Sequence, residues 1–240
     1  MYENKNVMDI FLVFSSDEDY DKFERKDKVN KIVLLPGHKI DCIVTYKKFF
    51  ALKKLVNKDE YDYFIVCDAE ISIVPENFNE ENILKKIEKI YENKIIYAGG
   101  KDLNEITKES ANLFHEKDRL KKLTKDFTLY YWWSDLPTYK REYLKDFFSK
   151  IDYSNINWSH FDHVIYLNYL ILYHKFSILN ITPILDWEHS LESYFTEDIN
   201  MLDTLKDNKY GFSWATPKLF NANKDYFFEG RCFFVISFRS

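Results

Sequence analysis

Short apolar runs alternate with amphipathic segments through residues 1 to 100, and this alternation restricts the fold more than any other feature of the chain. Ile10-Phe11-Leu12-Val13-Phe14 has the composition of a buried strand, closed by Ser15-Ser16. Asp17 to Lys26 follows as a polar helix with acids in its first turn, where the helix dipole favours them. Lys31 to Leu35 reads as a second strand stopped by Pro36-Gly37. From Thr45, as N-cap, the residues Tyr46, Phe49, Phe50, Leu52 and Val56 fall on one side of a helix, with Lys47, Lys48, Lys54 and Lys58 elsewhere. Tyr63 to Cys67 is a third strand, Ile83 to Tyr91 a helix, and Lys94 to Ala98 a fourth strand before Gly99-Gly100. Strand and helix repeated in this way predict an α/β fold with a mainly parallel central sheet flanked by helices.

Beyond residue 100 the pattern changes. Lys101 to Lys125 is charged and helical in pattern, Phe127 to Trp133 is densely aromatic, Tyr139 to Ile151 and His160 to Tyr173 read as helices, and Phe176 to Ile181 as a strand. Isolated prolines and the lack of any Ser/Gly-rich stretch leave no interdomain linker, so the expectation is one domain over 1–240. The longest apolar run, Val164 to Tyr173, is about half of what a spanning helix needs and reads as a buried helix. No secretory signal is visible at the N-terminus. Three widely spaced cysteines without a C-x-x-C fit reduced thiols, and the expected location is cytoplasmic, with peripheral attachment to the inner face of a membrane left open.

Composition removes several functions. A net charge of −5 offers no basic excess to neutralise a phosphate backbone, so nucleic acid is not expected as a partner. Five glycines in 240 residues, with Gly37 the first, exclude both a G-x-G-x-x-G dinucleotide loop and a P-loop. Any phosphate must be held by other means. Asp17-Glu18-Asp19-Tyr20-Asp21 imitates a calcium loop, but Lys22 stands where such a loop needs glycine and Lys28 where it needs glutamate; these acids read as a helix start.

The strongest chemical feature is Tyr61-Asp62-Tyr63-Phe64-Ile65-Val66-Cys67-Asp68-Ala69-Glu70, in which a buried strand delivers two carboxylates, two residues apart, at its carboxyl end. Ligands of open α/β sheets bind at that end. Hard cations such as Mg²⁺ or Mn²⁺ take one or two carboxylates and complete their shell with substrate phosphates. The alternative reading of these acids is a strand end that caps the next turn.

The stretch from Thr45 to Glu76, a TYKKFFALKKL helix followed by YDYFIVCDAEISIVPE, resembles the core of GT-A nucleotide-sugar-dependent glycosyltransferases, whose D-x-D motif ends a central strand. The resemblance covers residues 9 to 100, and implies a nucleotide-sugar-binding half there and an acceptor-binding half over 101–240. It implies a UDP-sugar donor and a Mn²⁺ or Mg²⁺ ion held by Asp68 and Glu70, with Glu70 standing where aspartate is commoner. It also implies that Phe14, Ser15 and Ser16 lie by the nucleotide, that Lys47 and Asp68 contact the donor, and that His189 returns to the metal. Asp162, at the start of a late helix after a Trp-containing loop, matches the base that takes the proton from the attacking hydroxyl. Its alternative reading is a helix-capping acid.

His160 and His163 are assigned to the acceptor side, or to a surface, rather than to zinc, since no H-E-x-x-H and no third ligand accompany them. Trp132, Trp133 and Asp135, in and after the aromatic run Tyr130-Tyr131-Trp132-Trp133, are candidates for sugar stacking and hydroxyl binding, with core packing as the alternative. The expected activity is transfer of a sugar to a glycan or lipid-linked acceptor. A low-arginine composition rich in Lys, Asn, Ile and Tyr suggests an AT-rich bacterial genome, and the resemblance then implies synthesis of surface polysaccharide or lipooligosaccharide. The rivals are a sugar-1-phosphate nucleotidyltransferase, which lacks its glycine-rich loop here, and a non-catalytic carbohydrate-binding protein.

Overall fold

The computed structural model describes residues 8–14, 16–22, 30–33, 43–67, 71–73, 80–98, 104–124, 138–151, 155–180, 212–214 and 232–239. In chain order its elements are β1 Met8–Phe14, α1 Asp17–Asp21, β2 Asn30–Val33, α2 Ile43–Leu55, β3 Tyr63–Cys67, β4 Ile71–Ile73, α3 Glu80–Asn93 and β5 Ile95–Ala98. There follow α4 Asn104–Ala111, α5 Lys117–Thr124, β6 Thr138–Lys140, α6 Arg141–Lys150, α7 Asp162–His174, β7 Ser177–Asn180, β8 Phe212–Trp214 and β9 Cys232–Phe238. The mixed α/β class expected from the alternation is present.

The sheet differs from expectation. Its order is β2-β1-β9-β3-β6, and among the described residues only the β1–β2 ladder of the four is parallel. A mainly parallel sheet is thereby corrected to a mixed one. The cause is β9, an apolar CFFVISF run that inserts between β1 and β3 and runs antiparallel to both. Its register is long: Met8 faces Phe238 and Phe14 faces Cys232 on one side, Tyr63 faces Phe238 and Cys67 faces Phe234 on the other. Because β9 opposes both neighbours, β1 and β3 point the same way and leave the sheet at the same end. Two short ladders stand outside this sheet, β4 with β8 antiparallel and β5 with β7 parallel.

Burial follows from sequence locally. All five residues of β3 are buried, as a strand covered on both faces requires. Helix α7 is buried from Asp162 through Leu172, and α2, α4, α5 and α6 all pack against it. The apolar run that was too short to span a bilayer is thus the hub of the helical layer, and no helix among the described residues is long and apolar enough to cross a membrane. The charged stretch after residue 100 breaks into α4 and α5, with Phe114 bridging to Ile151 between them. Tyr139, expected at the start of a helix, instead lies in β6 ahead of α6.

Strand β6 is a sheet edge, and edges must be satisfied or covered. Two buried tyrosines do this. Tyr91 donates its hydroxyl proton to the Thr138 carbonyl at 2.9 Å, and the Lys140 N–H donates to the Tyr166 hydroxyl at 3.1 Å. The two hydroxyls lie 3.1 Å apart. Since the Tyr91 proton is committed to Thr138, Tyr166 must donate to Tyr91, which gives the chain a single direction. Burial raises the pKa of both phenols, so the hydroxyls keep the protons this chain requires. Tyr166→Phe should therefore cost about 1–3 kcal/mol, the penalty of stranding a half-buried N–H and a buried hydroxyl. Urea denaturation measures this, with the exposed Leu123→Ala within about 0.5 kcal/mol of wild type as control.

Candidate functional site

Asp68 follows directly on Cys67, the last residue of β3, and Glu70 directly precedes Ile71, the first of β4. The two acids themselves lie outside the described residues, as do Ser15, Trp132, Trp133, Asp135 and His189. Around them the scaffold is clear. β1 and β3 both end beside the start of β9, and α1 starts three residues after β1. Phe14, expected beside a nucleotide, is buried and packs edge-on against Tyr20 with ring centroids 5.3 Å apart. Ser16 is half-buried, and its carbonyl accepts the Tyr20 N–H at 3.3 Å. The acids of the calcium-like sequence serve the helix start: Glu18 pairs with Lys22, and Asp17 with Lys31.

Seven residues separate the end of α2 from the start of β3, and α2 packs against α6 and α7. Here one expectation is corrected. The helix begins at Ile43, so Thr45 lies within it rather than at its cap. Lys47 and Lys48, which the pattern sets off the apolar side, are both buried, and Lys48 meets an acid on the neighbouring helix. Lys48 Nζ lies 3.2 Å from Asp162 Oδ1, and the Tyr139 hydroxyl donates to Asp162 Oδ2 at 2.6 Å. His163 Nδ1 is 3.9 Å from the same carboxylate, and the His163 ring stacks on Phe161. Burial alone would raise the Asp162 pKa, but the Lys48 ammonium, His163 and the Tyr139 hydroxyl outweigh it and hold the carboxyl well below the ordinary carboxylate range. The position in the first turn of α7 works in the same direction. Tyr139 is raised well above its ordinary value by burial and by the adjacent Asp162 charge, so it stays a donor.

His160 is built into the turn before α7. Its Nδ1 accepts the Asn157 N–H at 2.9 Å, so its Nε2 carries the proton and donates to the Glu109 carbonyl at 3.2 Å. Burial lowers its pKa, which preserves the neutral form that this pairing needs. The His160 carbonyl accepts from Thr45 Oγ1 at 2.7 Å. One residue thus ties α2, α4 and the start of α7, and both of its ring nitrogens are engaged with backbone groups.

Among the residues singled out from sequence, the structure brings together Asp162 and His163, with His160 two residues before Asp162. Lys48, Tyr139 and Thr45 complete the cluster and were not read as part of it. The signal that could have found them is the acid itself: an aspartate at the head of an apolar helix needs a cation, and adjacent lysines among aromatics in TYKKFF can supply one. Among the described residues no group of three His, Cys, Asp or Glu is arranged to hold a metal. The chain gives no significant match to protein-family models, to curated proteins or to solved structures.

Lys48→Met, which strands a buried carboxylate, should cost about 3–5 kcal/mol, and Lys48→Met with Asp162→Leu should cost less than Lys48→Met alone. A double-mutant cycle in urea reads this coupling. Because the folded Asp162 carboxyl titrates below its unfolded value of 3.8, its stabilisation is complete above about pH 4 and is lost as pH falls beneath that. Asp162→Asn should remove that part of the acid dependence.

Proposed function

We propose that the protein is a metal-dependent glycosyltransferase that moves a sugar from a nucleotide diphosphate donor, UDP-sugar by the resemblance, to a glycan or lipid-linked acceptor of a bacterial surface polysaccharide or lipooligosaccharide. One observation carries the reading. β1 and β3 leave the sheet at the same end, and the pair of acids begins at the residue after β3. Open α/β sheets bind ligands at that end, and carboxylates there suit a divalent cation and a diphosphate.

In this reading Asp68 and Glu70, with His189, hold Mg²⁺ or Mn²⁺, whose charge would offset that of the departing diphosphate. Phe14 acts through packing, setting the path of the chain into Ser15 and Ser16 beside the nucleotide, and Lys47 stands on the donor side. The finer architecture, a GT-A-like domain with donor and acceptor halves, belongs to the same proposal. Asp162 has both carboxylate oxygens engaged and a depressed pKa, which favours a positioning part over that of proton acceptor. It orders α7 and the turn before it on the acceptor side, where His163, Trp132, Trp133 and Asp135 are also assigned.

Release of UDP from a panel of UDP-sugars, with Mn²⁺ and with EDTA, measures the activity. Metal stabilisation is worth several kcal/mol and each 1.36 kcal/mol is tenfold in rate, so Asp68→Ala should lower turnover by about a thousandfold. Turnover at the wild-type rate in Asp68→Ala, or in EDTA, would remove the metal from the mechanism.

A further inference from the structure

We propose that the turn Asn157–His160 is a stacking platform for a neutral sugar ring, with the Trp158 indole as its face; under the glycosyl-transfer reading, on which the identity of that sugar as acceptor rests, it is the acceptor subsite.

Trp158 is 67% exposed, the most exposed large apolar side chain among the described residues. It is not on a loose loop. The His160 N–H donates to the Asn157 carbonyl at 3.0 Å and closes a four-residue turn with Trp158 at its second position. The Ser159 N–H donates to Asn157 Oδ1 at 2.8 Å, and the Asn157 N–H to His160 Nδ1 at 2.9 Å. Buried Ile156 and His160 anchor the turn on either side, and His160 is itself bound to the Glu109 carbonyl and to Thr45. Three hydrogen bonds inside the turn and two outside it order the backbone from which the indole reaches into water. That ordering removes the backbone part of the entropy cost of binding.

The surroundings select the ligand. Within residues 155 to 161 the only titratable side chain is the buried, neutral His160, and Ser159 is exposed and can serve a hydroxyl group. An indole face carries negative quadrupole density that attracts the weakly positive C–H face of a pyranose. Stable protein interfaces bury about 800 Å² on each partner, far beyond one ring, and anionic lipid needs clustered Lys or Arg that this turn lacks. One ring with neutral hydrogen-bonding neighbours matches one sugar.

The test uses the full chain labelled with 5-fluorotryptophan, the Trp158 ¹⁹F resonance being assigned from Trp158→Phe. It is titrated with neutral mono- to trisaccharides of gluco, galacto and manno configuration, with and without N-acetyl groups, and separately with phosphatidylcholine–phosphatidylglycerol vesicles. A saturable shift of the Trp158 resonance with a saccharide is expected. Trp158→Ala should weaken that binding by about tenfold or more, with the thermal midpoint and Mn²⁺-dependent UDP binding unchanged. No shift across the saccharide panel, or a shift with vesicles alone, overturns the platform. A saccharide shift in a protein that binds no UDP would retain the platform and remove glycosyl transfer.

Discussion

A buried charge is tolerated only where an opposite charge and hydrogen bonds meet it, and the Lys48–Asp162 pair is the contact that the packing of this protein depends on. The pair joins α2 to α7, and the Tyr139 hydroxyl brings in β6, so one carboxylate fixes two helices to the sheet. Losing either partner would leave an uncompensated charge inside the helical layer. Any register of α2 on α7 that parted Lys48 from Asp162 would incur that penalty. The Tyr91–Tyr166 hydroxyl chain acts beside it, closing the outer edge of β6 so that the sheet presents no free ladder there.

From this fixed corner the neighbouring features take their positions. Asp162 opens α7, the turn that carries Trp158 precedes it, and His160 binds that turn to α2 and α4. At the amino end of β3, Arg239 engages Asp9 while its guanidinium lies over the Tyr61 ring, and the Tyr61 hydroxyl donates to Asp9 at 2.7 Å. The far end of the sheet is therefore closed by ionic and aromatic contacts. The end where β1 and β3 stop is the one from which the acid pair emerges in the chain.

Local signals made much of the fold legible. Tyr63 to Cys67 is a strand with the bounds its apolar run gives, and the α3 and α7 periodicities locate those helices to within a few residues. What escaped was non-local. Nothing in CFFVISF specifies that it enters between β1 and β3, yet that insertion turns an expected parallel sheet into a mixed one. Likewise a lysine in an aromatic helix gives no sign of its burial until its partner, 114 positions away at Asp162, is known. Of the candidate site, Asp68 and Glu70 lie outside the described residues, and what could be read is the strand that precedes them, because strand and motif adjoin in sequence. Tyr139 and Thr45 could not, since their roles come from contacts with α7 and the turn before it.

A crystal structure of the protein with UDP and Mn²⁺ tests most directly whether the shared carboxyl end of β1 and β3 is the donor site. The expected result is a diphosphate at that end, with Mn²⁺ bridging it to the Asp68 carboxylate. UDP bound elsewhere on the protein, or Mn²⁺ held without Asp68, would contradict it.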